Sequence, residues 1–128
     1  GGVLPTGLPA GGSYFPATVL TNVPTTADIA HSEIFGPVVA IQTFATEDEG
    51  IAMANDTPFG LAAYVFAGDT GRALTIAERI EAGMVAINKG TISDPAAPFG
   101  GVKESGVGRE GGMEGIGEYL EPKYISLP

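Results

Sequence analysis

Between Val38 and Ile87 apolar runs alternate with helix-patterned segments, and that alternation constrains the fold more than any other feature. Residues 38–44 are almost continuously apolar, the pattern of a strand buried on both faces. Thr46-Glu47-Asp48-Glu49 then forms a capping box, with Thr46 as the cap and Glu49 reaching back three residues. The helix is predicted to run to about Asn55. Asp56-Thr57-Pro58-Phe59-Gly60 stops it, because Pro58 cannot continue a helix. Residues 61–67 read as a second buried strand. Thr70 is expected to cap a second helix, whose apolar face is Ala73, Ile76, Ala77 and Ile80 at the i, i+3, i+4, i+7 spacing. Gly83 is expected to supply the left-handed residue that ends it. Met84 to Ile87 make a third short strand. The β-α-β-α-β order with short connections implies an α/β fold, with a parallel sheet and right-handed crossovers.

Open parallel sheets bind ligands outside the carboxyl ends of their strands. The loop leaving the third strand, 88–112, contains Pro98-Phe99-Gly100-Gly101-Val102-Lys103-Glu104-Ser105-Gly106-Val107-Gly108-Arg109-Glu110-Gly111-Gly112. Six glycines there leave no helix or strand period, so an irregular backbone is expected. A long Gly-rich loop in this place reads as the wall of a site, the alternative being a mobile linker. Gly106 to Gly111 match the spacing of a dinucleotide fingerprint. That fingerprint requires a strand before it and a helix opened by it, and nothing before Gly106 reads as a strand. Gly101-Val102-Lys103-Glu104 lacks the Lys-Ser/Thr pair of a phosphate loop.

Composition removes several function classes. The net charge is −9 with six Lys plus Arg, so neither a nucleic-acid backbone nor an anionic membrane is an expected partner. There is no Cys, hence no disulfide, no Cys-ligated metal and no thiol nucleophile. No apolar run has the length of a membrane span, and no basic segment precedes an apolar one at the start. A cytoplasmic location is the default expectation. With 44% hydrophobic residues, 128 residues suffice for one domain and one core.

The flanks are less regular. Residues 1–12 are rich in Gly, Pro and Ala and open without a methionine, as a segment cut from a longer chain would. Residues 14–23 read as a non-central strand interrupted by Pro16. Residues 119–127 are β-prone and broken by Pro122, which suits an edge strand able to pair with another subunit. Asn55-Asp56-Thr57 fits a glycosylation sequon but reads as the end of a helix.

Few side chains carry chemistry. Glu33 is a candidate site carboxylate, able to accept from two adjacent ribose hydroxyls, and Phe35 a platform for a flat ring. The alternative is a solvated Glu and a core Phe. His31, the only histidine, reads as a surface residue more than a general base. Ser93, in the loop leaving the third strand, is placed to hydrogen-bond a substrate or to make a local turn. Lys103 and Arg109 either bind an anion or anchor the loop. Ser105 near Lys103 is a weak match to a Ser-Lys pair. No nucleophile-base set has convincing spacing.

Three motifs in order resemble the carboxyl-terminal part of the NAD(P)-dependent aldehyde dehydrogenases: Glu33-Ile34-Phe35-Gly36-Pro37-Val38, Ala54-Asn55-Asp56-Thr57-Pro58-Phe59-Gly60-Leu61, and the stretch from Pro98 to Gly111. The resemblance covers nearly the whole chain. Gly83-Met84-Val85-Ala86-Ile87-Asn88, Thr91-Ile92-Ser93 and Glu118-Tyr119-Leu120-Glu121-Pro122-Lys123-Tyr124 resemble the succinate-semialdehyde enzymes most. The resemblance implies part of a Rossmann-like catalytic domain spanning 1–128, closed by an oligomerisation strand at about 117–128. It implies NAD or NADP as cofactor, a small aldehyde as substrate and a homo-oligomer built through that strand. In such enzymes a Cys thiolate attacks the aldehyde, hydride passes to the nicotinamide, and Glu-activated water releases the acid. Glu33 matches the carboxylate on the nicotinamide ribose and Phe35 the aromatic beside the nicotinamide. Ser93 matches the hydrogen-bonding partner of the substrate's distal carboxylate, and Phe99 an aromatic of the substrate tunnel. The catalytic Cys and Glu match nothing here, so no catalytic residue and no metal ligand is assigned. The 128 residues alone are expected to be inactive. A non-catalytic assembly or binding module of the same family is the alternative.

Overall fold

The computed structural model describes residues 1–128 and divides them into two units, Gly1–Thr57 and Pro58–Pro128. Each is built around a short pair of parallel strands.

In the first unit, β1 (Thr18–Leu20) lies parallel to β2 (Val38–Ala40), with Thr18 opposite Val38 and Leu20 opposite Ala40. The pairing continues irregularly where Ile41 N–H donates to Leu20 C=O and Val23 N–H to Ile41 C=O. A four-residue helix, α1 (Asp28–His31), sits in the connection. Next comes α2 (Glu47–Asn55), which starts and stops where the sequence predicts. Thr46 Oγ1 accepts from Glu49 N–H at 3.2 Å. The return arm differs from the expected one: Glu49 Oε2 accepts from Ala45 N–H at 2.7 Å, four residues back. Ile51 is the buried residue of this helix.

In the second unit, β3 (Phe59–Gly60) leads directly into β4 (Ala62–Val65). Then α3 (Thr70–Ala77) crosses over to β5 (Met84–Ile87), which pairs parallel with β4, Ala62 opposite Met84 and Val65 opposite Ile87. This βαβ unit carries the core: Val65, Ala73, Met84 and Ala86 are buried. Ala73, Ile76, Ala77 and Ile80 lie on the more buried side of the segment as their spacing predicts. The short strand β6 (Val102–Lys103) returns antiparallel to β3.

Several expectations are corrected. The single parallel sheet is replaced by three two-stranded ladders, two parallel and one antiparallel. The runs 38–44 and 61–67 are not buried on both faces: Val39, Phe44, Tyr64 and Phe66 are exposed, because their apolar faces have no covering layer within these residues. Thr70 is not the cap of α3. Asp69 is: its Oδ1 accepts from Arg72 N–H at 2.7 Å, as a carboxylate one residue upstream does more strongly than a hydroxyl. Replacing Asp69 by Ala is therefore expected to cost about 1 kcal/mol in urea denaturation, and Thr70→Ala much less. Gly83 has no left-handed φ. Residues 119–127 form no strand; a 3-10 helix, Glu114–Tyr119, is followed by an extended Leu120 and then by chain of no regular structure without a ladder partner. A strand exists only when paired, and Pro122 removes one donor from any pairing.

Candidate functional site

The Gly-rich loop is the best-organised irregular segment of the second unit. Phe99 and Glu110 exchange two backbone hydrogen bonds, Phe99 N–H to Glu110 C=O at 2.6 Å and the reverse at 2.8 Å. Residues 100–109 close on themselves between these bonds. Arg109 holds the interior of that closure: its Nη1 donates to Gly101 C=O and Gly108 C=O, both at 2.7 Å. Its backbone N–H donates to Glu118 Oε1 at 3.2 Å. Lys103 pairs with Glu81 at 2.7 Å. Both cations therefore anchor the loop, the second of the two readings their positions allow. The mobile-linker reading fails for the same reason. The Gly106–Gly111 spacing leads into the 3-10 helix and opens no α-helix, as a dinucleotide fingerprint would.

Four glycines let this loop lie on the strands. A Cβ on Gly83 would collide with the Gly100 carbonyl and come within 2.9 Å of Gly101 Cα. One on Gly60 would meet Val102 Cγ2 at 2.7 Å and Glu81 O at 2.9 Å. One on Gly101 would meet Ser105 Cβ at 2.7 Å, and one on Gly100 would meet Arg109 Cδ at 2.8 Å. Backbone thus packs on backbone along a seam from β3 and the start of β5 into the loop. The sequence signal for it was present, but Gly83 signals a helix end and a close approach equally well.

The loop bounds a hollow of about 320 Å³. Leu61, Phe99, Val107 and Tyr119 give it apolar walls; Arg109, Glu110 and Glu118 line it with charge. The volume is at the lower end of small-molecule sites. Phe99, expected as a substrate-facing aromatic, is on its wall. Ser93 is exposed and is not one of the lining residues. The turn beside it is made by Asp94, whose Oδ1 accepts from Ala96 N–H at 2.9 Å, so the local-turn role belongs to the neighbour. Asn88, which sequence reasoning passed over, fixes the root of the loop. It adopts φ 52°, and its carboxamide both accepts from Ala67 N–H and donates to Ala67 C=O, each at 2.9 Å. Asn tolerates that left-handed backbone better than most residues, which was the available signal.

In the first unit Glu33 and Phe35 follow α1. Glu33 is exposed. Phe35 is 92% exposed and held at φ 34°, a left-handed conformation unusual for a bulky residue. An aromatic displayed at such a backbone is no core residue, and strain of this kind gathers at ligand sites. His31 is not exposed as a free surface side chain. Its ring nitrogens lie 3.0 Å from Asp56 O and 2.5 Å from Thr25 O, so it ties α1 to the end of α2. The crevice beside it, about 10 Å³, is too small for a ligand.

A family model described as "Aldehyde dehydrogenase family" matches residues 1–125. The chain belongs to the aldehyde dehydrogenase family. It is 53% identical over 116 residues to a succinate-semialdehyde dehydrogenase of Paenarthrobacter nicotinovorans, covering 91% of this chain and 26% of that protein. It is 50% identical over 117 residues to a 3-sulfolactaldehyde dehydrogenase of Pseudomonas putida, covering 91% of this chain and 24% of that protein. Among solved structures, the Mycobacterium tuberculosis aldehyde dehydrogenase complexed with NAD+ superposes with a TM-score of 0.80 at 43% identity. That match covers 86% of this chain and 23% of the other. The ladders and the seam-bound loop are therefore parts of the aldehyde dehydrogenase fold. The chain spans about a quarter of the length of the curated relatives it matches. No helix is long and apolar enough to cross a membrane.

Proposed function

We propose that this chain is the carboxyl-terminal portion of the catalytic domain of a longer, NAD(P)+-dependent aldehyde dehydrogenase, acting on succinate semialdehyde. The observation that carries the reading is half-identity to enzymes whose named aldehydes bear an acid group away from the reacting carbon, one a carboxylate and the other a sulfonate. The nicotinamide, when bound, accepts hydride from the substrate. The exposed Glu33 carboxylate is suited to accept from its ribose hydroxyls, and the displayed Phe35 ring to pack beside its flat face. Phe99 walls the path of the aldehyde chain. Ser93 donates its hydroxyl to the distal carboxylate, a role supported by its neighbour Asp94 making the turn instead. The attacking thiolate belongs to polypeptide outside these residues, since the chain has no Cys, and the water-activating carboxylate, which matches no residue of the three motifs, is assigned there with it. Residues 120–128, unpaired within the chain and rich in exposed apolar side chains, join a strand of a second subunit and so give a homo-oligomer.

The test is Ser93→Ala in the complete enzyme. A neutral donor to a charged acceptor is worth 1.5–3 kcal/mol, so KM for succinate semialdehyde should rise about tenfold or more. KM for an uncharged aldehyde of similar length should stay within about twofold. An equal change for both aldehydes overturns the assignment of Ser93 and, with it, the preference for an acid-bearing substrate.

A further inference from the structure

We propose that Ser105, which itself lines the hollow, is a positioning residue for the Phe99 wall, acting through the glycine seam; this rests on the reading of the hollow as the aldehyde's path. Phe99 is followed by two glycines, so its own neighbours restrain it little. Its backbone is tied to Glu110 by two hydrogen bonds, and the residues after it are held to the strands by a closed circuit of contacts. Ser105 Oγ accepts from Gly60 N–H at 2.9 Å. Gly60 C=O accepts from Gly83 N–H at 2.9 Å. Gly83 in turn abuts the Gly100 carbonyl so closely that no Cβ fits. Gly100 is bonded to Phe99, and the chain from Gly101 runs back to Ser105, whose own N–H donates to Val102 C=O at 3.2 Å.

That hydroxyl adds to the β3–β6 ladder in closing the loop onto β3, and β3 holds the residue before β5 against the residue next to Phe99. Gly60 is buried, so without the Ser105 oxygen its N–H loses a partner where water reaches it poorly. The cheapest relief is for the residues the β3–β6 ladder does not hold, Gly100, Gly101 and Ser105, to lift from β3, and Phe99 shifts with them. Lys103, the base that a Ser-Lys pair would need, is bound to Glu81 at 2.7 Å, which disposes of that pair.

The experiment uses the complete enzyme with Ser105→Ala and Ser105→Thr, which keeps the oxygen. For the Ala variant, KM for succinate semialdehyde should rise about tenfold, with kcat and KM for NAD(P)+ within about twofold. Amide hydrogen exchange at residues 60 and 99–101 should quicken by about tenfold or more. The Thr variant should recover both in large part. Unchanged exchange at 99–101 in the Ala variant overturns the positioning role whatever the substrate proves to be. Quickened exchange with an unchanged aldehyde KM overturns the link from seam to substrate wall. An unmodified enzyme that turns over no semialdehyde overturns the functional reading alone, and the exchange data still decide the mechanical one.

Discussion

Gly83→Ala is expected to destabilise the second unit by about 3 kcal/mol, the upper part of the range for forcing one extra methyl into packed structure. The added Cβ would meet backbone only: the Gly100 carbonyl, its carbon at 2.9 Å, and Gly101 Cα at 2.9 Å. No side chain can rotate away to make room. Gly83 cannot retreat either, because its N–H is bound to Gly60 C=O at 2.9 Å and it opens β5, whose next residue Met84 donates to Leu61 C=O. Its φ is not left-handed, so the cost is the collision and nothing else. Gly68→Ala and Gly90→Ala are the controls. Nothing lies within 4 Å of either new methyl, and neither backbone is left-handed. Both should be neutral or more stable by about 0.5 kcal/mol, through the unfolded chain's lost freedom. Urea denaturation of the three variants against the parent decides it. A Gly83→Ala midpoint equal to the controls' would mean that the loop does not rest on the strand.

That contrast also marks what sequence reasoning reached. Local chemistry was legible: Thr46, Glu49 and Pro58 define α2 because capping and termination involve residues within a few positions. β5 was legible because Met84 to Ile87 is a short apolar run between a glycine and a polar residue. At α3 two good capping residues stand side by side, and only geometry shows that Asp69 takes the role from Thr70. Gly83 was misread because its reason lies at Gly100, seventeen positions on. The burial of residues 38–44 and 61–67 was misread for a different reason. Their composition describes a strand with both faces covered, and these residues supply only part of the cover. In the candidate site, Phe99 lines the hollow, while its role toward a substrate was an expectation from family resemblance alone. The anchoring of Arg109 on Gly101 and Gly108, and of Ser105 on Gly60, required coordinates.

Given NAD(P)+ and succinate semialdehyde, the 128-residue chain by itself is expected to form no reduced nicotinamide above the blank. Loss of a covalent nucleophile alone costs an enzyme about 10⁴-fold or more in rate, and here no replacement is at hand. There is no Cys. The one imidazole is tied to the carbonyls of Thr25 and Asp56 and has no hydroxyl nucleophile as partner. Lys103, the lysine nearest Ser105 in sequence, is paired with Glu81 and is no base for that hydroxyl. Exposed apolar side chains such as Val19, Val39, Phe44, Tyr64 and Phe66 further mean that a water-excluding cleft, which the chemistry needs, is not enclosed by these residues. The same chain should support turnover when it is joined to an upstream segment bearing the thiol, because the missing nucleophile is then supplied. Nicotinamide reduction that scales with the concentration of the bare chain and persists through repurification would show that the oxidation proceeds without a cysteine.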